Sequence, residues 1–233
     1  MSTPLKTGSQ GRVALVLAGC GAKDGAEITE SVSLMVALAQ AGFSTSVFAP
    51  DRPTAHTINH FTGKEEGTPR NILTEAARIA RGKVSSLSHL KADDFDALVF
   101  AGGFGAAKNL CNFAFAGQDA TLQNDVKTAL IPFFKAHKPI AALCIGPVVV
   151  ALGAREAGIT GIHLTLGDGS AVDAVRAVEL WGAVHVPTAV DAACVDKLHR
   201  IVTSPAYMYD HATPADIFAS ATALVKDLQE VLH

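Results

Sequence analysis

Three short apolar runs in this chain each end in a turn richer in glycine, or more abrupt, than a plain strand connection requires. Residues 12–18 lead into Gly19-Cys-Gly-Ala-Lys-Asp-Gly25, residues 96–101 into Gly102-Gly-Phe-Gly105, and residues 139–143 into Cys144-Ile-Gly-Pro147. Apolar runs of this length bounded by turn residues are the mark of buried strands in a parallel sheet. Further strands are predicted over 43–49, 84–87, 165–168, 184–186 and 200–204. Helical periodicity is predicted over 27–41, 71–80, 106–115, 121–137, 147–157, 171–181 and 214–232. In the first helix Ile28, Val32, Met35 and Leu38 form the stripe expected to face the core. Strands alternating with helices predict an α/β fold, a doubly wound and mostly parallel sheet in a three-layer α/β/α sandwich. Residues 1–11 read as a flexible arm ahead of a single domain over 12–233.

Charge and cysteine usage narrow the function classes. The formal net charge is −3, with no basic stripe of the kind that binds nucleic acid. No apolar run approaches the roughly 18 residues needed to cross a bilayer, so no membrane association is expected. The cysteines at 20, 111, 144 and 194 show no CxxC or other metal-ligand spacing. Together with the lack of an apolar or Arg-rich leader in residues 1–11, this predicts reduced thiols in the cytoplasm.

In sheets of this kind ligands bind beyond the carboxyl ends of the strands. Cys144 stands at such an end, and Pro147 fits the first turn of the helix that follows. A sharp strand-to-helix turn holds a nucleophile up at the edge of the sheet, and the helix N-terminus there favours thiolate. The alternative is a buried structural cysteine. The backbone amides of Gly102–Gly103 and Ile145 could form an oxyanion hole. Glu27, opening the first helix, is the acid best placed to meet Cys144 and carry a proton; Glu30 reads as solvated surface. A rival is dinucleotide binding by Gly19-x-Gly21-x-x-x-Gly25 with Asp51 as the ribose acid, although that spacing departs from GxGxxG. The loop over 50–70 is long for a compact domain, and long loops often carry function.

In combination these segments resemble the ElbB-like branch of the PfpI/ThiJ superfamily, a family associated with isoprenoid biosynthesis and related to the class I glutamine amidotransferases. The similarity runs from about Val13 to the C-terminus. It is carried by Leu17-Ala-Gly-Cys-Gly with Asp24-Gly-Ala-Glu27, Ile58-Asn-His-Phe-Thr-Gly63, and Arg70-Asn-Ile-Leu with Glu75-Ala-Ala-Arg-Ile. The other carriers are Gly102-Gly-Phe-Gly-Ala-Ala-Lys-Asn-Leu110, Cys144-Ile with Pro147, and Thr203-Ser-Pro-Ala-Tyr-Met208.

The resemblance implies a flavodoxin-like sandwich and a homodimer. Its implied chemistry is a glyoxalase III-type conversion of glyoxal, or methylglyoxal, to a 2-hydroxy acid without glutathione, metal or other cofactor. Cys144 would be the nucleophile, Glu27 the partner acid, and the Gly103 and Ile145 amides the oxyanion hole. Many superfamily members carry His after the cysteine, whereas Ile145 stands here, so any general base must come from elsewhere. Gly102, Phe104, Cys20, His60 and His185 are the supporting candidates; His163 and His199 have less to recommend them. Two other functions fit the same residues: a protective thiol protein with little turnover, and a non-covalent binding module for an anionic metabolite.

Overall fold

A computed structural model describes residues 10–233. The main sheet has seven strands: β1 (Arg12–Val16), β2 (Ser44–Ala49), β3 (Val84–Ser86), β4 (Ala97–Phe100), β5 (Ile140–Leu143), β8 (Cys194–Asp196) and β9 (Ile201–Ser204). Their order is β3-β2-β1-β4-β5-β9-β8, and every pairing is parallel except β8 with β9 at one edge. A separate parallel pair joins β6 (His163–Leu164) to β7 (Val184–His185). The helices are α1 (Ile28–Gln40), α2 (Ile72–Ile79), α3 (Phe113–Ala116), α4 (Asn124–Lys135), α5 (Pro147–Glu156), α6 (Val172–Leu180) and α7 (Pro214–Leu232).

The pleat of the central strands divides the core into two apolar layers, because successive side chains point to opposite faces. Ala14, Val16, Leu98, Phe100, Ile140 and Ala142 pack on one face with residues of α4, α5 and α6. Val13, Leu15, Ala97, Val99, Ala141 and Leu143 pack on the other with residues of α1, α2 and α7. This is the mostly parallel three-layer sandwich predicted from the sequence. Among the described residues no helix is long and apolar enough to cross a membrane.

Several local expectations are corrected. Of the arm over 1–11, residues 1–9 lie outside the described residues, while the Gln10 amide donates to Gly42 O at 3.0 Å and Gly11 O accepts from the Ser44 amide at 2.9 Å. Residues 165–168 are not a strand. The Thr165 hydroxyl accepts from the Gly167 amide at 3.1 Å, and Gly167 turns the chain at φ +88°. The helix predicted over 106–115 is a π-helical turn, Ala106–Leu110, followed by the single-turn α3. The stripe on α1 is rotated: Leu34, Ala37 and Leu38 are buried, whereas Ile28 and Val32 are 49% and 45% exposed. The inward face belongs to Leu34 and Leu38 because α1 packs on the sheet alongside α7 in the same layer.

The α4–α5 contact yields a test of how tightly the first layer is packed. Gly153, inside α5, lies under Leu130 and Phe134, and a Cβ there would sit 2.9 Å from the Phe134 ring. Alanine normally stabilises a helix interior by about 1 kcal/mol over glycine. Overpacking a filled core costs about 1–3 kcal/mol, so Gly153→Ala is expected to lower the urea midpoint. A raised midpoint would show that the two helices part freely.

Candidate active site

The apolar strand β5 is buried along its whole length and delivers Cys144 directly onto the turn into α5. Cys144 has φ +58°, a left-handed conformation that non-glycine residues adopt at a cost. Two hydrogen bonds hold it there: the Cys144 amide donates to Ser204 O at 2.9 Å, and the Gly146 amide to Leu143 O at 2.8 Å. A side chain on Gly146 would strike that same Leu143 oxygen. Pro147 then opens α5 as the sequence predicts. The amides of Gly103 and Ile145 both donate toward the Cys144 sulfur, so the predicted oxyanion-hole donors converge on the predicted nucleophile. Gly103 sits at φ +92°, packed against the Glu27 amide and Gly25 O, where no Cβ fits.

Glu30, not Glu27, is the carboxyl beside this thiol. It is fully buried, and the Tyr207 amide donates to its Oε1 at 3.2 Å. Oε2 has no donor in good geometry and faces the Gly102 amide and the Cys144 thiol. Burial pushes the Glu30 carboxyl up to about 8; the neighbouring Glu27 charge adds to this, while the thiol and the Tyr207 and Gly102 amides oppose it. Burial also pushes the Cys144 thiol well up, and an ionised Glu30 pushes it further. The thiolate-favouring elbow expected from the helix N-terminus is therefore corrected: loss of water outweighs the helix dipole and both amide donors. What the geometry provides is a pair of adjacent weak acids. Deprotonating the carboxyl creates a base next to the thiol.

Glu27 has a different task. It is the N-cap of α1, and its Oε2 accepts the Glu30 amide at 2.7 Å. It remains in the pocket wall, one turn from the residue that pairs with Cys144. The expectation that Glu30 would be solvated is overturned for the same reason that α1 was misphased. Four residues before Leu34, Glu30 falls on the true inward stripe, and this is the signal that could have found it.

A pocket of about 530 Å3 opens over Cys144, Glu30 and Gly103. Phe104, a supporting candidate, stands 57% exposed in its wall. Tyr207, Met208, Ser170, Ala171 and Asp210 line it as well and were not foreseen, since they come from remote loops. Gly102 lies directly under Glu30 Oε2 and the Cys144 Cβ, leaving no room for a side chain.

The other candidates lie elsewhere. His60 accepts the Lys23 amide on its Nε2 at 3.1 Å, which ties the 50–70 loop to the first glycine turn. His185 is on β7, with both ring nitrogens buried and unpartnered. His199 pairs with Asp196 at 2.8 Å, and His163 begins β6. Cys20 sits beside Glu75 and Arg78. None of these lines the pocket, so the general base sought among the histidines is not one of them.

The dinucleotide reading also falls. Gly25 packs against the Cys20 backbone and Gly105 against Gly25, so these glycines serve loop-on-loop packing rather than an open phosphate cradle. Asp51 accepts the Asn71 side-chain amide at 2.8 Å.

No family model matches the chain. Over 204 residues it is 44% identical to the human glutamine amidotransferase-like class 1 domain-containing protein 3, mitochondrial; the match spans 86% of this chain and 76% of that protein. It is 43% identical over 205 residues to the rat ES1 protein homolog, mitochondrial, spanning 84% and 75%. Among solved structures it is similar to an isoprenoid biosynthesis protein with an amidotransferase-like domain from Ehrlichia chaffeensis. That likeness has a TM-score of 0.87 and 32% identity over 95% of this chain and 99% of the other. Drosophila melanogaster DJ-1beta shares the fold, with a TM-score of 0.52 and 19% identity over 95% and 93% of the two chains. The curated relatives are named as mitochondrial proteins, which overturns the cytoplasmic placement drawn from the reduced thiols.

The buried carboxyl has a signature in stability. Its folded-state value of about 8 lies above the ordinary 4.5. The folded state therefore binds the extra proton, and the stability this contributes is complete below 4.5 and lost as pH rises through about 8. Glu30→Gln removes the titration, so its stability relative to wild type is expected to rise by about 1.4 kcal/mol per pH unit across that window. Urea unfolding of both proteins at pH 5, 6.5 and 8 measures it; a constant difference would place Glu30 in water.

Proposed function

The chain belongs to the ES1 group of glutamine amidotransferase-like class 1 proteins, within the ThiJ/PfpI/DJ-1 superfamily, and from that premise we propose that it is a glyoxalase III-type enzyme converting glyoxal to glycolate. The observation that carries the reading is the Cys144–Glu30 pair, buried at the base of the pocket under the Gly103 and Ile145 amides. In this reaction one aldehyde carbon is oxidised at the expense of the other, so no external oxidant or reductant is consumed.

The geometry supports the following steps. Ionised Glu30 takes the thiol proton as Cys144 Sγ bonds to one aldehyde carbon, and the proton passes to the new alkoxide to complete a hemithioacetal. The Gly103 and Ile145 amides stabilise the oxyanion while it exists. Glu30 then removes the proton from that carbon, and the electron pair it leaves forms the C=C bond of an enediolate as the neighbouring carbonyl oxygen takes the negative charge. Glu30 returns the proton to the neighbouring carbon while the hydroxyl proton passes to the neighbouring oxygen, giving the thioester of a 2-hydroxy acid. Water hydrolyses the thioester, releasing glycolate and regenerating the thiol. A carboxyl titrating near 8 suits both halves of this transfer, because a general acid–base group works best near the ambient pH. In this scheme Glu30 takes the role expected of Glu27.

Two features weigh against the other readings. The ionisable side chains lining the pocket are Glu27, Glu30, Cys144, Tyr207 and Asp210, with no cationic residue among them. That lining favours a neutral aldehyde and disfavours an anionic metabolite. Redox-sensor cysteines are accessible and low in pKa, whereas Cys144 is buried and raised.

Purified protein is expected to turn over glyoxal, with Cys144→Ala inactive and Glu30→Gln reduced about 10²–10⁴-fold in kcat, the usual contribution of a positioned acid–base group. Glu27→Gln is expected to keep most of the activity. Glycolate formation measured by chromatography decides the matter: one equivalent or less per protein from the wild type would defeat the proposal.

A further inference from the structure

One four-residue turn touches both members of the pair. β9 ends at Ser204, whose carbonyl accepts the Cys144 amide at 2.9 Å. Three residues later the Tyr207 amide donates to Glu30 Oε1 at 3.2 Å. Between them Ala206 is fully buried at φ +44°, a left-handed conformation in a residue with a Cβ. Such a conformation persists only where the surroundings over-determine it.

Here the surroundings are hydroxyls contributed by α7 and β9. The Ala206 amide donates to Ser220 Oγ at 3.1 Å, and Ser220 in turn donates to Ser204 Oγ at 3.0 Å. Ser204 Oγ donates to Ala192 O at 2.6 Å. Both serines are fully buried, and neither touches the pocket.

We infer that Ser220 is a positioning residue: by holding the Ser204–Tyr207 turn in its left-handed form, it aims the Tyr207 amide at Glu30 and so sets when Glu30 can take the proton of Cys144. The inference rests on Glu30 being the proton partner of Cys144. It does not depend on which aldehyde the pair transforms. The titratable groups acting on Glu30 are Cys144 from the elbow and Glu27 from its own helix, with the Tyr207 phenol and Asp210 on the same pocket wall. α7 presents the uncharged Ser220 to the turn. The sign follows from the donor. An amide hydrogen bond favours the charged carboxylate, so a turn that relaxes away from Glu30 delays its ionisation.

The test is the pH dependence of Cys144 alkylation by iodoacetamide, with the modified residue mapped by mass spectrometry. Wild type is expected to show a rise with an inflection near 8. Ser220→Ala is expected to move that inflection upward by about half a pH unit or more and to slow alkylation at pH 7.5 about threefold. Ser220→Cys, close in volume and a poor acceptor, is expected to move it the same way and serves if the alanine variant does not fold. On a Glu30→Gln background the Ser220 substitution is expected to change nothing further.

An unmoved inflection in a folded Ser220 variant would overturn the inference, as would a Ser220 effect that persists in full on the Glu30→Gln background. A wild-type profile without the inflection would remove the proton partnership and the inference with it. Glyoxal turnover is not read in this experiment. If wild type fails to convert glyoxal yet the alkylation profiles behave as stated, the proposed reaction falls and Ser220 keeps its role.

Discussion

The removal of one carboxyl group from water sets the electrostatics at the carboxyl end of this sheet. Glu30 enters the inward face of α1 among apolar neighbours, and burial holds it neutral through most of the physiological range. Isolated buried carboxylates are costly enough that they normally protonate or find a cation. Glu30 finds a thiol and two backbone amides instead. That is the environment in which a carboxyl can act as an acid at one moment and a base at the next, and the surrounding loops are shaped to keep it so.

Shape at this point is supplied by the absence of side chains. Gly25, Gly102, Gly103 and Gly105 stack the first loop against the second so closely that no Cβ would fit at any of them. The close approach lets the Gly103 amide reach the Cys144 sulfur and brings Gly102 under Glu30. Asn109 locks the same region from behind. Its side-chain amide donates to Ala18 O and Asp24 O, both at 2.9 Å, while its Oδ1 accepts from the Ala55 amide. The long 50–70 loop is thus a strap across the outside of the glycine turns rather than a wall of the pocket.

Much of this was legible in the sequence. Buried apolar runs ending in glycine or cysteine turns gave the parallel sheet, the elbow at Cys144, the helix start at Pro147 and the amides of Gly103 and Ile145. The partner acid was misplaced by one helical turn. Ile28 and Val32 form an apolar stripe that is exposed, and α1 is apolar enough around its circumference for two phases to look alike. β8, the one antiparallel strand of the main sheet and only three residues long, went unseen. The turn from Ser204 to Tyr207 carries no local pattern either: its geometry is imposed by a serine on α7. The histidines misled because residue type suggests a base, while only the fold decides which side chains share a cavity.

The left-handed backbone at Cys144 has a consequence for how such a protein can change over time. Glycine would occupy that position without strain, and glutamine at position 30 would be buried without a titration to suppress. A lineage released from the proposed reaction therefore has two routes open to it, both leading to an inert molecule. Residues 144 and 30, read together across relatives, should sort those that still practise the chemistry from those that have kept only its scaffold.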